Sequence, residues 1–129
     1  MATFLLDTSV IIDIINDKRE RRQFLKQLLA QGHILACCAI NVAEVYAGMR
    51  PKEEEKTKTL LGALEYYPIT RHAAETGGSL KRDHSKKGIT LSLTDAMIAA
   101  VAIQHQLTLI TDNVKDFPMK ELALYPLPN

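Results

Sequence analysis

The chain has 129 residues, enough for one domain with a real core, and its 47% hydrophobic and 24% charged residues fit a folded globular protein rather than a disordered one. A formal net charge of +1 excludes the bulk attraction by which strongly basic proteins gather on nucleic acid, so contact with a polyanion must come from local basic clusters or a bound cation. No run has the length of a membrane span, the N-terminus lacks a signal-peptide pattern, and the adjacent Cys37 and Cys38 have neither disulfide-framework nor zinc-site spacing; two free thiols suit a reducing cytoplasm.

In chain order, Thr3–Leu6 is a short apolar strand that stops at Asp7-Thr8-Ser9, a cluster suited to helix capping. The dense apolar run Val10–Ile15 follows, broken by Asn16-Asp17, and then a charged helix from Lys18 to Ala30 that Gly32 ends. Ile34–Ile40 reads as a buried strand, and Asn41-Val42-Ala43-Glu44 opens a helix that runs to Met49. Pro51 and the charged run Lys52–Lys58 start another helix, continued by Leu60, Leu61 and Leu64. Tyr66–Thr70 is a weaker strand, because Pro68 cannot donate to a ladder and belongs on an edge or at a bulge. A helix from Thr70 to Ser85 is loosened by Gly77-Gly78, and Ile89–Leu93 is irregular. Thr94–Gln106 is apolar nearly all round and should be a buried helix, with Leu107–Thr111 a buried strand and Leu122–Leu127 a short last one.

Strands alternating with helices predict a single α/β domain over residues 1–129, with a mainly parallel sheet flanked by helices. Right-handed crossovers then gather the helix N-termini at the carboxyl edge of the sheet, where ligands of such folds bind. Asp7 follows the first strand, Glu44 lies in the first turn after the second, Asp95 begins the buried helix, and Asp112, Asn113 and Asp116 follow Leu107–Thr111. For Asp95 to start at that edge, Ser85–Leu93 must climb back across the sheet, which an extended segment at roughly 3.3 Å per residue can do.

Each acid also has a structural explanation. Asn41-x-x-Glu44 and Ser92-x-x-Asp95 have the form of capping boxes, with Thr94 an alternative cap; Asp7 could cap the first helix, and Asp112-Asn113 could make a turn. Their conjunction at one sheet edge brings a shared cation level with capping as an explanation, and the residues alone leave both readings open. Crowded carboxylates repel one another, and oxygen-only ligands favour Mg²⁺ or Mn²⁺. Such a cation, with no nucleophilic Ser or Cys constellation, suggests metal-assisted phosphodiester hydrolysis.

Other residues carry weaker signals. Lys18-Arg19 with Arg21-Arg22, and Lys81-Arg82 with Lys86-Lys87, are candidate phosphate contacts that also suit solvated helix faces. His33, His72, His84 and His105 show no ligand spacing; Thr94 and Thr111 stand beside acids they could orient; Tyr46 reads as core rather than as a base-stacking platform.

The segments Phe4–Val10, Asn41–Gly48, Leu93–Ala100 and Leu109–Phe117 resemble, in order and from end to end, the four motif blocks of the PIN-domain family, most closely its VapC-type toxins. The resemblance implies a Rossmann-like sheet and a Mg²⁺- or Mn²⁺-dependent endoribonuclease with Asp7, Glu44 and Asp95 on the family's three core acids. Asp116 is expected as the remaining acid, Asn113 as a group that orients metal or water, and Asp112 as the outsider. It further implies a homodimer, a VapB-type antitoxin as inhibitor, and tRNA, ribosomal RNA or messenger RNA as substrate. A catalytically silent domain of the same fold, binding RNA or protein, is the alternative. A phosphoacceptor receiver needs an early acidic pair, and a haloacid-dehalogenase-like phosphatase an Asp-x-Asp; Asp7-Thr8-Ser9 supplies neither.

Overall fold

The computed structural model describes residues 1–128. Its centre is a five-stranded sheet of β1 (Thr3–Leu6), β2 (Ile34–Cys38), β3 (Glu65–Tyr67), β4 (Thr108–Thr111) and β5 (Ala123–Pro126). The spatial order is β3-β2-β1-β4-β5, and every neighbouring pair is parallel. The chain builds outward from β1 through β2 to β3, then returns to lay β4 and β5 on the other side. The order therefore reverses beside β1, the place where open parallel sheets form a crevice at their carboxyl ends.

Because strand side chains alternate between faces, each apolar strand feeds two cores. Leu5, Ala36, Cys38 and Leu109 face one layer; Phe4, Leu6, Leu35, Cys37 and Ile110 face the other. The same alternation sends Cys37 and Cys38 to opposite faces as free, buried thiols. Over the second face lie α1 (Thr8–Ile15), α2 (Arg21–Ala30) and α4 (Glu54–Ala63), the last entered through a 3₁₀ turn at Pro51–Glu53. The first face is covered by α5 (Arg71–Lys86) and α6 (Leu93–Gln104), and α3 (Ala39–Gly48) follows β2 and touches both α1 and α6.

Three boundaries differ from the sequence expectation. The helix expected from Lys18 begins only at Arg21, because Asp17, Arg19 and Glu20 all adopt left-handed backbone angles that end helical hydrogen bonding. The strand expected to reach Ile40 stops at Cys38, which caps α3; Asn41 is therefore inside the helix, and Glu44 falls in its second turn rather than its first. The third strand ends at Tyr67, so Pro68 lies just past an edge strand where its missing N–H costs nothing.

The climb expected of Ser85–Leu93 does not occur. Helices α5 and α6 form an antiparallel hairpin: Thr70 at the start of α5 hydrogen-bonds Gln104 at the end of α6 (3.2 Å), and Lys81 near the end of α5 donates to the Leu91 carbonyl beside the start of α6. The last turns of α5 already lie beside the head of α6, and a short connection suffices.

Gly77 does not loosen α5, which is continuous from Arg71 to Lys86; it lets α5 approach α6. A Cβ there would sit 2.8 Å from Met97 Sδ and 3.3 Å from the Ala96 carbonyl, whereas one on Gly78 would meet nothing within 4 Å. Gly78→Ala is expected to stabilise the fold by about 1 kcal/mol through helix propensity. Gly77→Ala is expected to destabilise it by about 1–3 kcal/mol through overpacking. Urea denaturation of the two variants reads both signs.

Candidate active site

Asp7, Glu44, Asp95, Asn113 and Asp116 line one cleft of about 310 Å³ together with Thr8, Ser9 and Ile12. Four chain segments deliver them: the end of β1, the second turn of α3, the first turn of α6, and the 3₁₀ turn Val114–Asp116 after β4. Ser92, not Thr94, is the N-cap of α6; its hydroxyl accepts from the Asp95 N–H at 3.0 Å.

Asp7 is the most buried of the acids, 6% exposed, and both its oxygens are held. It does cap α1, with Oδ1 accepting the Thr8 N–H at 2.8 Å, while Oδ2 accepts the Thr111 hydroxyl at 2.7 Å. The Asn113 N–H donates to Thr111 Oγ1 (2.9 Å), which leaves that hydroxyl's single proton for Asp7. Thr111 thus orients a carboxylate. On the other side of the cleft, the Thr8 hydroxyl donates to Glu44 Oε1 at 2.7 Å.

Asp112 turns away. Its Oδ1 accepts from the Ser9 hydroxyl (2.9 Å), and its Oδ2 lies 3.4 Å from Arg21, whose guanidinium is itself buried and also faces Asp13 at 3.5 Å and the Pro128 carbonyl at 2.6 Å. Arg21 is therefore an internal counter-charge and unavailable to phosphate. Of the histidines, His33 accepts the Ala2 N–H and packs edge-on to Phe4, His84 bonds the Leu80 carbonyl within α5, and His105 stacks on Tyr67. None of these contacts is to the cleft. Tyr46, expected in the core, is 40% exposed.

Burial dominates the electrostatics. It pushes the Asp7 carboxyl up to about 6 against the hydrogen bonds from Thr111 and Thr8, with Asp95 and Asp112 adding repulsion. Asp95 is raised too, first by burial and then by Asp116 and Glu44. Burial also pushes Cys37 up to about 11 and raises Cys38, which makes both thiols poor nucleophiles at neutral pH.

The donor set is all oxygen from four carboxylates and an amide, the set that suits a hard divalent cation. Among the described residues, no three Asp, Glu, His or Cys side chains stand close enough to close on one ion. Mg²⁺ commonly takes one or two carboxylates and keeps several waters. The chemistry fits, with water completing the shell.

The family model for the PIN domain matches residues 4–120 of the chain. The chain belongs to the PIN-domain family. Ribonuclease VapC10 of Mycobacterium tuberculosis is 32% identical over 117 residues, covering 91% of this chain and 87% of the relative. Ribonuclease VapC2 of Rickettsia felis is 29% identical over 119 residues, 88% of this chain and 89% of the relative. Among solved structures, VapBC2 of Rickettsia felis bound to a promoter DNA fragment matches with a TM-score of 0.86 at 25% identity, over 97% of this chain and 98% of that one. A toxin–antitoxin complex from Klebsiella pneumoniae matches with a TM-score of 0.77 at 31% identity, over 98% of this chain and 100% of that one. The parallel sheet with helices on both faces is the architecture that this PIN domain shares with them.

Because the fold raises the Asp7 pKa above the unfolded value of 3.8, it favours the protonated form. That contribution is full below about pH 4 and is lost as pH rises through about 6. With no divalent cation present, Asp7→Asn is expected to flatten the loss of stability between pH 4 and 7, because the amide does not ionise. Thermal unfolding of both proteins across that range checks the sign.

Proposed function

We propose that the protein is a metal-dependent endoribonuclease of the VapC type, a toxin held inactive by a cognate VapB-type antitoxin. The observation that carries the reading is the convergence of Asp7, Glu44, Asp95, Asn113 and Asp116 on one cleft at the carboxyl edge of a PIN-domain sheet. The curated VapC ribonucleases and the toxin–antitoxin complexes to which the chain is similar support it.

A Mg²⁺ or Mn²⁺ ion, when bound, supplies charge neutralisation for the phosphodiester and lowers the pKa of a water. Asp7 and Asp95 would hold it, with Glu44 completing the acidic shell directly or through water. Glu44 accepts the proton of the attacking water as the water oxygen bonds phosphorus; the bridging P–O bond breaks, and the leaving oxygen takes a proton from solvent. Asn113 and Asp116 orient the water from the β4 side or support a second ion. Lys86 and Lys87, exposed at the end of α5, would meet flanking phosphates of tRNA, ribosomal RNA or messenger RNA. The same reading makes the protein a cytoplasmic homodimer; no helix among the described residues is long and apolar enough to cross a membrane.

The surface that suits the antitoxin lies behind α1. A groove of about 610 Å³ between α1, α2 and α4 is floored by Ile14, Ile15, Leu25, Leu29 and Leu60 and edged by Arg22, Lys26 and Lys56, with Glu55 the one acid on its rim. Its occupant would be an amphipathic antitoxin segment with acidic flanks, matching an apolar floor and a basic rim. Leu29→Glu is expected to leave RNA cleavage unchanged and to abolish inhibition by the antitoxin, read in one cleavage assay with and without it.

Asp7→Asn and Asp95→Asn should each remove metal-dependent cleavage while the domain stays folded, and chelation with EDTA should do the same. Asp116→Asn should cost about a hundredfold or more in rate, on the scale of losing a group that acts only in the transition state. Asp112→Asn should cost stability through Arg21 and far less rate. Cleavage of a defined RNA in Mn²⁺, with circular dichroism as the folding control, separates these outcomes; full activity in folded Asp7→Asn would sink the reading.

A further inference from the structure

Asn41 is a fully buried polar side chain that the cleavage reaction does not call on, and its hydrogen bonds have a fixed direction. The Cys38 N–H can only donate, so the atom facing it at 2.8 Å is Asn41 Oδ1, which closes the cap of α3. The other end of the amide is therefore Nδ2, a pure donor, and it lies 3.0 Å from Thr8 Oγ1. Thr8 Oγ1 must accept there, and its single proton is left for Glu44 Oε1 at 2.7 Å. One backbone amide thus sets the sense of three successive hydrogen bonds and ends them on a carboxylate of the cleft.

We propose that Asn41 and Thr8 are positioning residues for Glu44: the Asn41 amide commits the Thr8 hydroxyl to donate to Oε1, which pins the carboxylate and presents Oε2 to the cation and water. The inference rests on the metal-dependent reading of the cleft. It mirrors the arrangement across the cleft, where the Asn113 N–H commits Thr111 to Asp7. A chain of this kind removes the rotamer freedom that Glu44 would otherwise lose on binding a cation, so its loss should show in metal affinity as well as in rate.

The test uses the full chain, with Mn²⁺ affinity by isothermal titration and RNA cleavage rate measured side by side. Thr8→Val is expected to weaken Mn²⁺ binding or slow cleavage by about tenfold to a hundredfold, the scale of losing an outer hydrogen-bond partner of a metal ligand. Thr8→Ser, which keeps the hydroxyl, should recover most of both. Asn41→Ala should lower rate and affinity in the native background yet add no further loss to Thr8→Val, because the two act as one unit. In a Glu44→Ala background, Thr8→Val should leave Mn²⁺ affinity where it was. If Asn41→Ala does not fold, the Thr8 and Glu44 variants decide alone. Native Mn²⁺ affinity and rate in Thr8→Val, or an equal loss of affinity with Glu44 absent, would overturn the inference while leaving the nuclease reading intact. Failure of the native protein to bind Mn²⁺ and to cleave RNA would overturn both.

Discussion

A carboxylate buried at the end of a central strand sets the terms for the rest of the molecule. Asp7 lies buried where β1 meets α1, with the half-buried Asp95 adding repulsion. Desolvation of a charge in such a place costs several kcal/mol unless hydrogen bonds or counter-charge offset it. The fold supplies partial compensation only: two donors, Thr8 N–H and Thr111 Oγ1, and, among the described residues, no Lys or Arg in ion-pair contact. Arg21, the buried guanidinium of this region, is directed at Asp13 and Asp112 instead. The residue left undercompensated is the one that a divalent cation would stabilise most.

The topology explains how residues so far apart in the chain share one cleft. Parallel strands β1, β2 and β4 all end at the same edge, and each is followed by a turn or helix that carries an acid. Asp95 arrives by another route, at the head of the second arm of the α5–α6 hairpin, whose close packing depends on the missing side chain of Gly77. Spacing in the cleft is therefore tied to packing on a face that never touches it. A shift of α6 against α5 would move Asp95 relative to Asp7.

Much of this was legible in the sequence. The strand ends, the buried helix α6 and the acids after each strand follow from apolar runs that stop at polar capping residues. What escaped was pairing over long separations. Residue chemistry does not separate Asp112 from Asp116; the resemblance ranks Asp116 first, and the placement of Arg21, 91 residues away, shows Asp112 engaged on the other side. The spacing Asn41-x-x-Glu44 predicts Asn41 as the N-cap of α3. The helix in fact starts two residues earlier, at Ala39, which turns Asn41 inward as the third helical residue and brings it to Thr8. A Cys in the cap position, a weak capping residue, hid that start. The α5–α6 hairpin was missed because Gly77-Gly78 suggests a loosened helix when its neighbour is unknown.

The central claim is that the acids of the four segments form one cation site from which Asp112 is excluded. Anomalous diffraction from crystals grown with Mn²⁺ tests it most directly. The account predicts a Mn²⁺ peak in the cleft, contacted directly or through water by Asp7 and Asp95, with Glu44 still bonded to Thr8 and Asp112 still on Arg21. A peak coordinated by Asp112, or Mn²⁺ bound elsewhere with the cleft acids unengaged, would contradict it.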